Sequence, residues 1–178
     1  MHLIIVIICY LIRIEPSAFY YCKKLPNVTI PYEVTVILSN AFQYCSSIES
    51  FFLHETITTI ANSAFRYCSS LTSIVIPKKV RNIDSYLLGS CTSLLNVTIP
   101  YGVTSVSNNA FESCTSLQSL VFPDSIINIY SYVCSGCSNL VSVYLSANLT
   151  NINYFAFTQC FSLYSISVPH KVTNIYQY

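Results

Sequence analysis

Seven cysteines recur at a fixed interval of 23 residues, and this period constrains the fold more than any other feature of the sequence. They are Cys22, Cys45, Cys68, Cys91, Cys114, Cys137 and Cys160. Self-similarity at one fixed period indicates a repeat architecture in which each repeat is one small structural unit. Seven units, here called units one to seven, fill the chain without an insertion: 18–40, 41–63, 64–86, 87–109, 110–132, 133–155 and 156–178.

The units share the pattern A-F-x-x-C-x-S-L-x-S-I-x-I-P-x-x-V-T-x-I-x-x-x, whose positions are called columns one to 23. Unit three shows it in Phe65, Cys68, Leu71, Ile74 and Ile76. One unit alone cannot bury so many apolar groups, whereas stacked units bury each column against its neighbours. The sequence therefore predicts a solenoid with continuous apolar ladders.

Local patterns predict two short strands in each unit. In L-x-x-I-x-I apolar and variable residues alternate, which is the period of a strand with one buried face. Proline lacks an N–H group and ends this strand in five units, at Pro31, Pro77, Pro100, Pro123 and Pro169. V-T-x-I predicts a second, shorter strand, and A-F-x-x-C predicts a single turn of 3₁₀ or α helix. Stacked units would then lie one strand spacing apart, about 4.8 Å.

The phrases SLTSIVIPKKV, NAFQYCSSIES and NAFESCTSLQSLVFP resemble the BspA-like class of leucine-rich repeat. The resemblance covers residues 18–178 and implies a mostly β, α/β-class solenoid with parallel strands on its concave face and short strands and helical turns on its convex side. It also implies a surface antigen of bacteria or protists. The chain departs from the general leucine-rich pattern because no asparagine ladder follows the strand. Units four and six also lack the Ala-Phe pair, with Leu87-Leu88 and Val133-Cys134 in its place.

Residues 1–17 precede the repeats and allow two interpretations. Leu3 to Ile12 is an apolar run that is too short to span a membrane and suits a signal peptide. However, neither a basic residue before the run nor a small-x-small cleavage site accompanies it. Ile5, Ile7, Leu11 and Ile14 fall on core columns, so the segment is equally consistent with the tail of a preceding unit.

The cysteine ladder is the sharpest chemical feature of the sequence. Adjacent Cα atoms one strand spacing apart would tolerate a disulfide, but parallel Cβ vectors disfavour one. The favoured interpretation is that each cysteine is a small buried residue facing backbone groups. The single C-x-x-C, Cys134 to Cys137, lacks a second ligand pair, so no metal is expected. Cys134 stands where the repeat has phenylalanine and is expected to point inward.

Composition argues against catalysis and nucleic-acid binding. Only 8% of residues are charged and the net charge is +1, so the basic stripe typical of nucleic-acid binding is missing. His54 and His170 lie five units apart and cannot share a site. Neither a glycine-rich phosphate loop nor a nucleophile elbow occurs. We therefore expect neither an enzyme nor a cofactor, and a protein as the partner.

Columns nine and twelve should point outward from the longer strand and form the binding face that solenoids commonly use. Several of their side chains are larger and more apolar than an exposed strand needs, which is typical of interaction sites, although tyrosine and valine also cover β faces that bind nothing. The candidate binding residues are Glu49, Phe52, Thr72, Val75, Leu95, Thr98, Gln118, Val121, Val141, Tyr144 and Tyr164.

Three function hypotheses follow. The resemblance favours a surface or secreted adhesion protein, whereas many unpaired cysteines would suit an intracellular scaffold in a reducing compartment. The chain also reads as a fragment, since unit seven shows no polar cap and could associate end to end with another copy. For a secreted chain, the sequons at Asn27, Asn96 and Asn148 are candidate glycosylation sites.

Overall fold

The computed structural model describes residues 12–176 as a stack of short parallel strands joined by turns. The strands are β1 (Arg13–Ile14), β2 (Val36–Ile37), β3 (Thr59–Ile60), β4 (Ser73–Val75), β5 (Asn82–Ile83), β6 (Asn96–Thr98), β7 (Ser105–Val106), β8 (Ser119–Val121), β9 (Asn128–Ile129), β10 (Ser142–Tyr144), β11 (Asn151–Ile152) and β12 (Asn174–Ile175). The predicted parallel-strand solenoid is confirmed.

Strand pairing follows the 23-residue period without a slip. The strands formed by columns ten to twelve are here called the long strands. Among them β4 pairs with β6, and β8 pairs with β10. Column 19 and 20 strands, here called the short strands, form one sheet in the order β1-β2-β3 and another in the order β5-β7-β9-β11-β12. Ser73 lies opposite Asn96 and Arg13 opposite Val36, so each residue faces its own column in the next unit.

The segment expected to form a helical turn consists instead of tandem turns, and no helix occurs among residues 12–176. Hydrogen bonds from Gln43 to Asn40 and from Cys45 to Phe42 close successive turns. Columns 23 and four carry positive φ angles, as at Asn40 (59°) and Tyr44 (64°). These left-handed residues turn alternate N–H groups toward the next unit, and a helix cannot continue through them.

The core is a set of ladders running along the stack. The phenylalanine column stacks face to face, with ring centroids 5.1 Å apart between Phe19 and Phe42 and 5.6 Å apart between Phe42 and Phe65. Phe51 packs edge-on against this stack at 4.8 Å from Phe42. Leu87 and Leu88 are fully buried in the same place in unit four, as the pattern predicts. Stacked burial of this kind ties every unit to its neighbours.

The two ends of the described chain differ. Ile14 is buried and its strand pairs with β2, so residues 12–17 occupy the place of a preceding unit. The remaining apolar positions predicted there, Ile5, Ile7 and Leu11, lie outside the described residues. At the other end Ile175 is 62% exposed, although Ile129 in the same column is fully buried. Unit seven therefore presents core columns to solvent.

Candidate functional site

The eleven candidate binding residues are all exposed and form the surface called here the long-strand face. Each lies beside a buried core column, because Leu71 and Ile74 point inward while Thr72 and Val75 point outward. Exposure reaches 72% at Phe52 and 65% at Tyr144, although both are large and apolar in character. The alternation predicted from the sequence therefore places these side chains on the surface of the long strands.

Strand pairing brings the candidate residues together in two blocks. Val75 lies opposite Thr98 across β4 and β6, and Val121 lies opposite Tyr144 across β8 and β10. Backbone bonds of 2.8 Å, from Leu95 to the Thr72 carbonyl and from Val141 to the Gln118 carbonyl, extend each block to column nine. Residue pairs one strand spacing apart can contact a partner jointly.

The face is less regular at its C-terminal end. Tyr164 is 96% exposed and lies in a segment, residues 163–169, that forms no strand. Its equivalent in unit six, Val141, is held by a backbone hydrogen bond to unit five. Tyr164 therefore belongs to the face by column but lacks the strand support of the other residues.

An aromatic cluster at the N-terminal end of the face was not foreseen from the sequence. His54 packs edge-on against Phe52 at 4.9 Å and against Tyr32 at 5.4 Å between ring centroids. Its Nε2 atom lies 2.8 Å from the Ile30 carbonyl oxygen, which an Nε2–H group can satisfy by donating. His54 occupies the proline column, and this departure from the repeat is the signal that could have revealed the cluster.

A polar fissure opens on the short-strand side between β3 and β5, which no described hydrogen bond joins. It encloses about 260 Å³ and is lined by Thr58, Thr59, Ile60, Arg81, Asn82 and Asp84. Partial burial raises the pKa of the Asp84 carboxyl group above its ordinary range. Arg81 replaces the usual threonine of its column and donates to the Gly102 carbonyl at 3.1 Å rather than to Asp84.

The cysteine ladder faces backbone groups, as predicted. Six of its thiols donate to the column-two carbonyl of the preceding unit, as Cys68 does to Phe42 at 3.2 Å and Cys91 to Phe65 at 3.2 Å. All eight cysteines between residues 12 and 176 are free, and Cys22 alone among them is exposed. Burial raises the pKa of Cys91 to about 12, so its thiol stays protonated at neutral pH.

Two absences concern the described part of the chain. Within residues 12–176, histidine, cysteine, aspartate and glutamate side chains form no group of three that is placed to hold a metal ion. Over the same range the chain has no helix with the length and hydrophobicity needed to cross a membrane.

The three sequons differ in their surroundings. Asn27 and Asn96 are exposed in column ten, beside the long-strand face. Asn148 is partly buried, and its side-chain amide donates to the Asp124 carbonyl oxygen at 2.8 Å. A glycan on Asn148 would displace this hydrogen bond, whereas glycans on the other two would cover part of the face.

Comparison with protein families gives one clear relationship. The family described as "BspA type Leucine rich repeat region" matches residues 4–112 and 58–178, in six copies. Its first match begins inside the segment before unit one, in agreement with the strand at Arg13–Ile14. No functionally curated protein is detectably similar to the chain.

Solved structures of bacterial leucine-rich repeat proteins have the same fold. A Bacteroides ovatus protein is 25% identical with a TM-score of 0.86, over 95% of this chain and 44% of its own length. A T. pallidum protein is 30% identical with a TM-score of 0.79, over 85% of this chain and 71% of its own. A protein from Faecalibacterium prausnitzii described as a cell surface protein is 21% identical with a TM-score of 0.54, over 93% of this chain and 66% of its own.

Proposed function

Because the chain belongs to the family of BspA-type leucine-rich repeat proteins, we propose that it is a non-catalytic module that binds a protein partner through the long-strand face. The observation that carries this proposal is the row of exposed aromatic and aliphatic side chains on that face, with Phe52, Val75, Val121, Val141 and Tyr144 all more than half exposed. Contiguous apolar surface of this kind commonly marks an interaction site.

The chemistry of the face favours a protein over a charged polymer. Glu49 is the only charged residue among the eleven, so a partner would displace little tightly held water. Phe52 and Tyr144 are the natural anchors, because aromatic side chains bury a large area at a small cost in conformational entropy. His54, which itself packs against Tyr32, contacts Phe52 from one side and so limits the rotamers that binding would have to fix.

We place this module on a cell surface or in a secreted protein that contacts host or matrix proteins. The family and the F. prausnitzii relative described as a cell surface protein support that location. The described cysteines, all free thiols, favour an intracellular recognition scaffold as the second candidate. Sequencing the N-terminus of the native protein separates the two, since cleavage within residues 12–18 indicates secretion and an intact Met1 indicates the scaffold.

A binding assay tests the face itself. The purified chain is measured against immobilised matrix proteins beside the double variant Phe52→Ala/Tyr144→Ala. Loss of two anchors should weaken binding about tenfold or more, since a hot-spot residue contributes over 1 kcal/mol. The matched control, Ile127→Ala/Tyr130→Ala, removes exposed apolar side chains from the short-strand side and should bind as the parent does. Unchanged binding by the first variant, or equal loss in both, would rule out this face.

The C-terminal end supports a further contact, between copies of the chain. Unit seven exposes Phe161, Val168 and Ile175, and a cavity of about 380 Å³ opens beside Ile175 and Tyr176. Another repeat face is the surface that matches these columns. Light scattering should therefore give a mass that rises with concentration, and Ile175→Lys should reduce it. A monomer at every concentration would exclude end-to-end association of this chain.

A further inference from the structure

Unit six holds a pair of buried thiols that the repeat does not require. Cys137 belongs to the cysteine ladder, whereas Cys134 replaces the column-two phenylalanine. Both side chains are fully buried. Every other buried or partly buried cysteine of residues 12–176 donates to a backbone carbonyl, but Cys134 has no such bond. Burial, together with the neighbouring Cys137 sulfur, raises the pKa of the Cys134 thiol well above its usual range.

The backbone between the two cysteines is a tight turn. The Cys137 N–H group donates to the Cys134 carbonyl at 3.1 Å, and Gly136, the third residue of the turn, has a φ of 75°. A hydrogen-bonded turn of this type brings its first and fourth Cα atoms within about 7 Å, and disulfides bridge Cα separations of about 4.4–6.8 Å. Gly136 is also the only glycine in its column, so this turn adjusts more easily than its equivalents.

The ladder partner of Cys137 is less suitable. Cys114 lies one unit away in the same column. Its thiol donates to the Leu88 carbonyl at 3.2 Å, as Cys137 donates to Phe111 at 3.1 Å. In-register side chains project in parallel, which opposes the torsion a disulfide needs. Pairing across the turn breaks the hydrogen bond from the Cys137 thiol to the Phe111 carbonyl.

We propose that Cys134 and Cys137 are a site of oxidative modification, which a small hydroperoxide converts to a disulfide across the turn. The Cys137 thiolate attacks one peroxide oxygen, the O–O bond breaks, and the sulfur becomes a sulfenic acid while water or an alcohol leaves. The Cys134 sulfur then displaces the hydroxyl group of the sulfenic acid, which leaves as water with the proton of the Cys134 thiol. Two thiols lose two electrons and two protons, and the hydroperoxide accepts both.

Two observations support Cys137 as the residue attacked first. The neighbouring Cys114 and Cys134 thiols lower the pKa of the Cys137 thiol, although burial opposes this effect. Unit seven is the next layer, and its residues 163–169 form no strand. Ala156 of this unit accepts a hydrogen bond from the Cys134 N–H group and lines an open cavity. A small oxidant in that cavity is thus one layer from the thiols.

Peptide mass mapping tests the proposal on the full chain. Folded protein is treated with hydrogen peroxide, quenched with catalase, unfolded in an alkylating agent and digested. We expect the peptide that contains Cys134 and Cys137 to carry no alkyl group and to be two hydrogen atoms lighter than the reduced peptide. The peptide that contains Cys91, which is equally buried but has no second thiol in its turn, should remain alkylated. An alkylated 134–137 peptide after treatment, or a disulfide from Cys137 to Cys114, would overturn the proposal.

Cys134→Phe is the matched control, because it restores the residue that units one, two, three, five and seven carry in this column. Cys137 then has no resolving thiol, so it should remain alkylatable or be trapped by dimedone as a sulfenic acid. Cys134→Ala serves the same purpose should phenylalanine disturb the fold, which circular dichroism reports. If Cys137 formed a disulfide in these variants to the same extent as in the parent chain, Cys134 could not be its partner and the proposal would be wrong.

Discussion

The left-handed column four offers the most direct test of how this backbone is stabilised. Ser113 (φ 55°) and Gly136 (φ 75°) occupy the same column in adjacent units and donate their N–H groups to the next unit in the same way. Ser113→Gly should stabilise the fold, and Gly136→Ala should destabilise it. The first substitution removes a side chain and the second adds one, at equivalent backbone positions.

The structure sets the expected magnitudes. A Cβ atom at left-handed φ destabilises the fold by roughly 1–2 kcal/mol. Glycine avoids this cost but loses more conformational entropy on folding, which offsets about 0.5–1 kcal/mol of the gain. Ser113→Gly should therefore gain about 0.5–1 kcal/mol. A Cβ on Gly136 would lie 3.2 Å from Ser113 Oγ, so Gly136→Ala should cost somewhat more than this gain. Removing Ser113 Oγ relieves the contact, and the double variant should exceed additivity by about 0.5 kcal/mol.

Urea unfolding followed by circular dichroism in reductant measures all three variants. Ser116→Gly is the control, because Ser116 is not among the residues with positive φ and glycine there should cost about 0.5–1 kcal/mol. A loss of stability in Ser113→Gly equal to that in Ser116→Gly would refute the idea that left-handed strain is stored in this column.

Two predictions concern the cysteine ladder. Cys91→Ala should lower the free energy of unfolding, measured by urea titration, by about 1–2 kcal/mol, because it removes the thiol donor of the Phe65 carbonyl and opens a small void. Cys22 is exposed in the same column, so Cys22→Ala should have no effect. Burial raises the pKa of Cys45, Cys91 and Cys160 to about 12, so the folded chain retains protons that unfolded thiols lose. The contribution of these thiols to stability should thus be complete below about pH 8.5 and be lost as the pH rises toward 12. The decrease should be less steep in Cys91→Ala. A urea midpoint that does not change with pH between these values would contradict the prediction.

The sequence predicts most of this fold because its signal is repeated. The same inward-facing position recurs in every unit, so several residues indicate it independently. Examples that are fully buried are Leu71 and Leu117 in column eight and Ile37 and Ile83 in column 20. The outward positions follow by alternation, which is why the candidate binding residues are exposed. The identity of the partner has no such redundancy, since the face varies from unit to unit.

Other features had no readable signal. Tyrosine, serine, asparagine, glutamine and glycine all occupy the left-handed columns, because the hydrogen bonds to the next unit, and not the residue type, impose the conformation. A helical turn is therefore the natural prediction for A-F-x-x-C, and this prediction is wrong. The gap between β3 and β5, which Arg81 and Asp84 line, likewise has no signal in the repeat pattern.

The backbone hydrogen bonds give the stack an internal electrostatic balance. In the turns, N–H groups such as that of Phe42 donate forward to Ala64, whereas beside the short strands Thr58 donates backward to Thr35. Peptide dipoles on the two sides of a unit therefore oppose each other, unlike those of an α helix, where they add. A solenoid built this way can gain units without a growing partial charge at its two ends. Each end also presents both N–H donors and carbonyl acceptors to an added unit.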